Sequence, residues 1–383
     1  MDFRKTEEQE LLLASLRELV ERSLPEDYMR KCDEEGRAHT EFYKVLVDNG
    51  FGLLGLPEKF GGTEVDVMTL ILVAEELATL DAPTMVDKVL QADDILAFGN
   101  EQQQELTLEY IKRGECAFAL GISEPQAGSD NNAIATTATR RNGKVYINGH
   151  KTFCTNADRS PYMLCLTRDL ESPKPAAQAI SMWLVPMNAP GVKLEPLHKI
   201  GEHFNTTYEV YLEDVEIEES ALVGKEGLGW LNLMKNLETE RILIGAQCLG
   251  LAQCCFNDAV QYANQRVQFG QTIGSFQLIQ EKLTYMQIKL ENMRNMVYKC
   301  AWERDNGIST KISSSLCKLY CAQAAFEVAD DAMQILGGIG YTVDHRVSRL
   351  WRDLRVKRIY GGTDQIQIHV AGREILKQAA KQK

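Results

Sequence analysis

Apolar residues along this chain follow three successive rhythms. From residue 1 to about 115 they recur at helical spacing: Leu11, Leu12, Leu16 and Val20 mark one stripe, and "TLILVAEELATL" (69–80) carries another. The Gly/Pro-punctuated "GLPEKFGGTEVD" (55–66) connects helices. After Gly114 the rhythm changes to alternation. "RRNGKVYINGHKTF" (140–153) holds Asn-Gly at 142–143 and again at 148–149, around the alternating Val145 and Ile147. Asn-Gly tolerates the positive φ of tight turns, so this stretch predicts a hairpin. "YMLCLTR" (162–168), "AISMWLVP" (179–186) and "YEVYLEDVEI" (208–217) predict further strands. From Gly229 the helical spacing returns and holds almost to the end, as in "AFEVADDAMQIL" (325–336) and "QIQIHVAGREILKQAA" (365–380).

The expected order is therefore helical (1–115), β (116–228) and helical (229–383), an α+β multidomain chain. A length of 383 residues exceeds one comfortable core and suggests two or three domains. No apolar run approaches the roughly 20 residues of a membrane span. "MDFRKTEEQELLLASLREL" reads as an amphipathic helix, not a signal peptide. A formal charge of −12 argues against a nucleic-acid surface. The ten cysteines form no CxxC pair; buried reduced thiols and a cytoplasmic protein are expected. No GxGxxG follows a strand, and metal-ligand spacings are missing, so no metal is expected.

What remains is a set of short polar and glycine-rich segments: "GISEPQAGSD" (121–130), "KTFCTN" (151–156), "ETER" (238–241), "QRVQFGQTIGSFQ" (265–277), "QILGGIGYT" (334–342) and "RIYGGTDQIQ" (358–367). Each alone is compatible with a turn, a helix end or core packing. Together, in this order on a helical–β–helical layout, they resemble the acyl-CoA dehydrogenase family of flavoproteins. Within it, the whole-chain texture is most similar to the crotonobetainyl-CoA reductase branch.

The resemblance implies an N-terminal helical domain, a middle β domain (a small orthogonal barrel or sandwich) and a C-terminal four-helix bundle. It also implies FAD, an acyl-CoA or enoyl-CoA substrate, an electron-transfer flavoprotein as redox partner, and a homotetramer built as a dimer of dimers. By resemblance, Ser123 meets the flavin pyrimidine edge, and Gly128 and Ser129 line the approach of flavin phosphate and CoA. Phe153 packs on the isoalloxazine and Thr155 reaches its N5. Arg266 pairs with the pyrophosphate, Gln268, Phe269 and Gln277 take the adenosine side, and Gln334, Gly337 and Gly338 take the ADP part, all from a neighbouring subunit. Thr363 and Gln365 contact FAD at the start of the last helix. Ser129, Arg241, Tyr360 and Gly362 fall to the substrate, although Arg241 could equally serve a structural ion pair.

Many relatives carry their α-proton base at the first glycine of "YGGT", where this chain has Gly361. A branch that includes isovaleryl-CoA dehydrogenase carries it just before an Arg on an earlier helix, here Glu240 before Arg241. At ~100° per residue, Glu240 falls on the stripe of Leu233, Leu237, Ile244 and Cys248, with Glu238 nearly opposite. Desolvation on that stripe would raise the carboxyl pKa toward a range useful for a base. Gly361 would keep its backbone amide as oxyanion donor. An acyl-CoA oxidase using dioxygen, and a non-catalytic FAD- or CoA-binding scaffold, are the alternatives. His203 and Asn205 stand where relatives often have Arg and Ser, with no consequence evident from sequence.

Overall fold

A computed structural model describes residues 4–84 and 86–381. Six helices come first: α1 (Glu7–Ser23), α2 (Tyr28–Glu35), α3 (Thr40–Asp48), α4 (Val67–Thr79), α5 (Val86–Phe98) and α6 (Glu101–Lys112). Local chemistry sets their starts. Thr6 and Gln9 form a reciprocal capping box on α1, Asn100 and Gln103 do the same on α6, and the Asp66 carboxylate accepts from the Thr69 N–H on α4.

Eight strands follow: β1 (Phe118–Gly121), β2 (Thr137–Arg141), β3 (Lys144–Thr155), β4 (Tyr162–Arg168), β5 (Ile180–Pro186), β6 (Val192–Pro196), β7 (Thr207–Ile217) and β8 (Leu222–Val223). They form two four-stranded sheets, ordered β1-β4-β5-β8 and β2-β3-β7-β6. Val145, Ile147, Val210 and Leu212 of one sheet share a core with Met163, Cys165, Trp183 and Val185 of the other. This is the sandwich expected of the middle segment.

One expectation needs correction. Asn142-Gly143 does turn β2 into β3, with φ of 51° and 78°. Asn148-Gly149 does not turn: β3 runs through it, and the pairing to β7 shifts register between Ile147 and Gly149. A bulge absorbs the pair, because the strand stays paired on both sides.

The last segment holds α7 (Gly229–Gln265), a two-residue-strand hairpin of β9 (Val267–Gln268) and β10 (Gln271–Thr272), then α8 (Gln277–Asp305), α9 (Lys311–Leu336), α10 (Arg346–Val356) and α11 (Asp364–Lys381). The long helices α7, α8, α9 and α11 make the bundle. Length had suggested separate cores, but the first and last segments share one: Leu16, Ile71 and Leu77 belong to the same cluster as Ile242, Leu249, Ala325 and Leu354. Small residues make this possible. A Cβ on Gly250 would stand 2.3 Å from the Glu75 carbonyl oxygen, so α7 touches α4 backbone to backbone.

The ten cysteines are all free, and Cys317 and Cys321 have sulfurs 3.9 Å apart. Among the described residues no helix is long and apolar enough to cross a membrane.

Candidate active site

The long helix α7 and the corner between α10 and α11 converge at one point. Leu233, Ile244 and Cys248 are buried along one face of α7; Glu240 lies on that face, half-buried. Glu238 turns away, its carboxylate accepting from Thr310 Oγ1 at 2.7 Å. Opposite Glu240 stand Gly361 and Gly362, both at positive φ (60° and 86°). A Cβ on Gly361 would lie 3.7 Å from Glu240 Oε1, 2.7 Å from Ile244 Cδ1 and 3.9 Å from Lys318 Cε. The two loci expected to share a site therefore do meet.

The diglycine corner is gripped by its carbonyls. Gln367 Nε2 donates to the carbonyls of Gly361 (2.9 Å) and Gly362 (3.1 Å), and Lys318 Nζ donates to that of Gly362 at 2.7 Å. Both side chains are fully buried. Among the described residues, neither glycine N–H has an intramolecular acceptor. Thr363 caps α11 by accepting from the Ile366 N–H, and Gln365 is exposed. Tyr360, half-buried, bonds through its hydroxyl to Lys357, which also reaches Glu202 and Gln247, each at 2.8 Å.

Charges crowd this point. Arg241 is buried, with Nη1 3.4 Å from Ser315 Oγ and Nε without a partner among the described residues. Burial lowers its pKa, opposed by Glu240 and Glu238. Burial also brings Lys318 down to about 8, against the pull of Cys248, Asp364 and Glu240. Burial raises Asp94 to about 7, opposed by its bond from Asn236 Nδ2 (2.6 Å) and helped by Asp93 and Glu240; burial raises Asp93 to about 6. Neither aspartate figured among the residues expected at the site; both lie on α5, outside every motif quoted from the sequence.

The sandwich contributes a second cluster. The Ser123 carbonyl accepts from the Thr152 N–H at 2.9 Å, which brings "SEP" beside "KTF". Phe153 sits at φ 56° on a second irregularity of β3 and is 68% exposed. Thr155, Gly128 and Ser129 are exposed as well. The bond holding these segments was missed in the sequence. Glu124 and Lys151, 2% and 0% exposed, pair at 2.7 Å, and Glu124 also accepts from the N–H groups of Ala135 and Thr136. Desolvation alone would raise the Glu124 pKa; Lys151 and these donors overcome it and hold the carboxyl below its usual range. The available signal was one acid and one base inside two of the quoted motifs. Gln126 Nε2 donates to Glu124 Oε2.

The remaining residues lie elsewhere. Arg266 follows Glu240 by 26 positions at the far end of α7, about 39 Å along the axis at 1.5 Å per residue. Arg266, Gln268, Phe269 and Gln277 are exposed there, Phe269 by 93%. Gln334, Gly337 and Gly338 are exposed at the end of α9, where Gly337 caps the helix. This chain does not bring them to Glu240. His203 and Asn205 have structural partners: His203 Nδ1 lies 3.2 Å from Asp33 Oδ1, and Asn205 Oδ1 accepts from Asn156 Nδ2 at 3.1 Å.

The scaffold is helical–β–helical, with Glu240 facing the diglycine corner and Phe153 exposed on the sandwich. The chain belongs to the acyl-CoA dehydrogenase family: models of its N-terminal, middle and C-terminal domains match residues 6–115, 119–215 and 227–376. It is 53% identical over 379 residues to the probable acyl-CoA dehydrogenase YdiO of Escherichia coli K12, covering 98% of this chain and 99% of that protein. Among solved structures, butyryl-CoA dehydrogenase from Megasphaera elsdenii superposes with a TM-score of 0.89 at 31% identity, over 98% of this chain and all of that one. A chain from the structure of the electron transferring flavoprotein of Acidaminococcus fermentans does so with a TM-score of 0.90 at 32% identity, over the same shares.

Proposed function

We propose that this protein is an FAD-dependent enzyme that removes or restores hydrogens at Cα and Cβ of an acyl-CoA thioester, with Glu240 moving the α-proton. The observation that carries this reading is the approach of Glu240 Oε1 to within 3.7 Å of the Gly361 Cβ position. A carboxylate arriving from α7 occupies the place from which many relatives project theirs. It also disfavours a non-catalytic scaffold, which has no need to restore a lost acid.

The residues present suit a flavin. Phe153, held exposed at positive φ, offers an apolar face for stacking. Ser123 and Thr155 supply polar groups beside it, Gly128 and Ser129 an open loop, and Thr363 and Gln365 the N-terminus of α11, whose dipole favours anions. FAD, when bound, would accept or return the β-hydride. Glu240 would take the α-proton in oxidation and give it back in reduction. The Gly361 N–H would donate to the thioester oxygen, with Gly362 alongside, so that charge developing there is stabilised. Arg241 and Tyr360 would flank the CoA thioester.

Arg266, Gln268, Phe269, Gln277, Gln334, Gly337 and Gly338 are exposed away from Glu240, which supports their meeting the ADP part of a neighbouring subunit's flavin in a homotetramer. An electron-transfer flavoprotein would exchange electrons with the enzyme. The test is spectroscopic. The purified protein should carry a yellow chromophore that bleaches on adding a saturated acyl-CoA, tried across a panel from butyryl to betainyl and aryl thioesters; a colourless protein, or one that no thioester bleaches, refutes the reading.

A further inference from the structure

Lys318 is an expensive residue where it stands. It is fully buried on α9, and burial without a strong partner disfavours an ammonium. Its Nζ donates to the Gly362 carbonyl, and its Cε lies within 4 Å of the same point on Gly361 that Glu240 Oε1 approaches. Gln367, also fully buried, grips the neighbouring carbonyls from α11. With both carbonyls tied to the protein interior, the 361–362 and 362–363 peptide planes are fixed, which orients the Gly362 and Thr363 N–H groups directly and holds the Gly361 N–H at the edge of the same rigid corner.

Resting on the function proposed above, we infer that Lys318 is a positioning residue for this reaction: it locks the Gly361–Gly362 corner through its carbonyl and serves as the countercharge of Glu240. The groups in electrostatic contact with this pair are Asp94 on α5, Arg241 and Cys248 on α7 and Asp364 on α11; Asp93, Glu238 and Arg304 lie one step further out, acting on Asp94, Arg241 and each other. Arg241, the chain neighbour of Glu240, and Lys318 both feel its charge, and among the described residues Lys318 is the cation that also bonds the backbone of the corner. A lysine suits this double task because its compact ammonium can meet a carbonyl and still act as a point charge.

Two readouts separate this role from simple packing. The first is affinity for acetoacetyl-CoA, a thioester acidic enough to bind as its enolate and so to load the corner without turnover. The second is the acid limb of the kcat/KM profile for oxidation, which reports ionisation of the base. Lys318→Met should weaken enolate binding roughly ten- to a hundredfold, the effect of one charge-assisted hydrogen bond. It should also move the acid limb to higher pH by about one unit, because a carboxylate that loses a neighbouring cation is harder to ionise. Lys318→Arg keeps the charge and should leave the limb in place. Gln367→Leu should weaken enolate binding and leave the limb in place. An unmoved limb in Lys318→Met overturns the inference. Should Lys318→Met fail to fold, as judged by thermal unfolding, unchanged enolate affinity in Gln367→Leu or a displaced limb in Lys318→Arg overturns it instead. Full turnover in Glu240→Gln refutes the underlying functional reading and is a separate result.

Discussion

Glu240 Oε1 lies 3.7 Å from the position where a side chain on Gly361 would begin, and Ile244 Cδ1 lies 2.7 Å from that same position. On the function proposed above the acid stands on α7, and an isoleucine methyl takes part of the space a side chain at 361 would need. Returning the acid to position 361 should therefore work poorly while Ile244 stands. Glu240→Gln combined with Gly361→Glu is expected to stay nearly inactive. Adding Ile244→Val, which deletes Cδ1, should raise turnover by tenfold or more over the double variant. Equal activity of the two would show that Ile244 is not the obstacle.

Phe153 should trade stability against cofactor binding. A non-glycine residue in the left-handed region costs about 1 kcal/mol, and Phe153 has little burial in return. Phe153→Gly is expected to leave the flavin-free protein as stable as before or more so in urea unfolding. Its FAD affinity, followed by flavin fluorescence, should fall about tenfold. A loss of stability without loss of FAD affinity would make Phe153 a packing residue.

The Glu124–Lys151 pair is an ion pair in a dry interior, where removing one partner leaves the other uncompensated. Lys151→Met should destabilise the protein by about 3–5 kcal/mol. Replacing both by apolar residues should cost less than that single change. Urea unfolding of the single and double variants decides this, and equal costs would show that the charges are not coupled.

Asp94 gives a pH dependence with a definite sign. Its folded-state pKa is raised to about 7 from an ordinary 3.8, mainly by burial. Between these values the native state keeps a proton that the unfolded state has lost, so this group lowers stability as pH rises from about 4 to 7. Below that window both states are protonated, and above it both are ionised. Asp94→Asn, neutral throughout, should match the wild type near pH 4 and exceed it in stability at pH 8. A constant difference across urea titrations in this range would show that Asp94 titrates normally.

Much of this site could be read from the chain because it rests on local signals. Helical periodicity places Glu240 on an apolar stripe of α7, and Asn142-Gly143 announces a hairpin by its own turn chemistry. The diglycine at 361–362 marks a close approach, though not what approaches. Long-range pairing was invisible. Nothing local in Lys318 says that it reaches Gly362, 44 positions on, or that Lys151 finds Glu124. Asp94 reads as a polar interruption in a helix until α7 packs on it. Asn148-Gly149 misled because a bulge and a turn use the same residues, and only the partner strand β7 distinguishes them. Helical periodicity also could not tell that α1–α4 and the bundle share one core, since an apolar stripe does not name its partner.

The proton transfer proposed for Glu240 can be tested apart from hydride transfer, by following exchange of the C2 hydrogens of butyryl-CoA in D2O by NMR with the flavin-loaded enzyme. The account predicts that Glu240→Gln slows this exchange roughly a hundred- to ten-thousandfold while butyryl-CoA still binds. Exchange at the wild-type rate in that variant would contradict the assignment of Glu240 as the group that moves the α-proton.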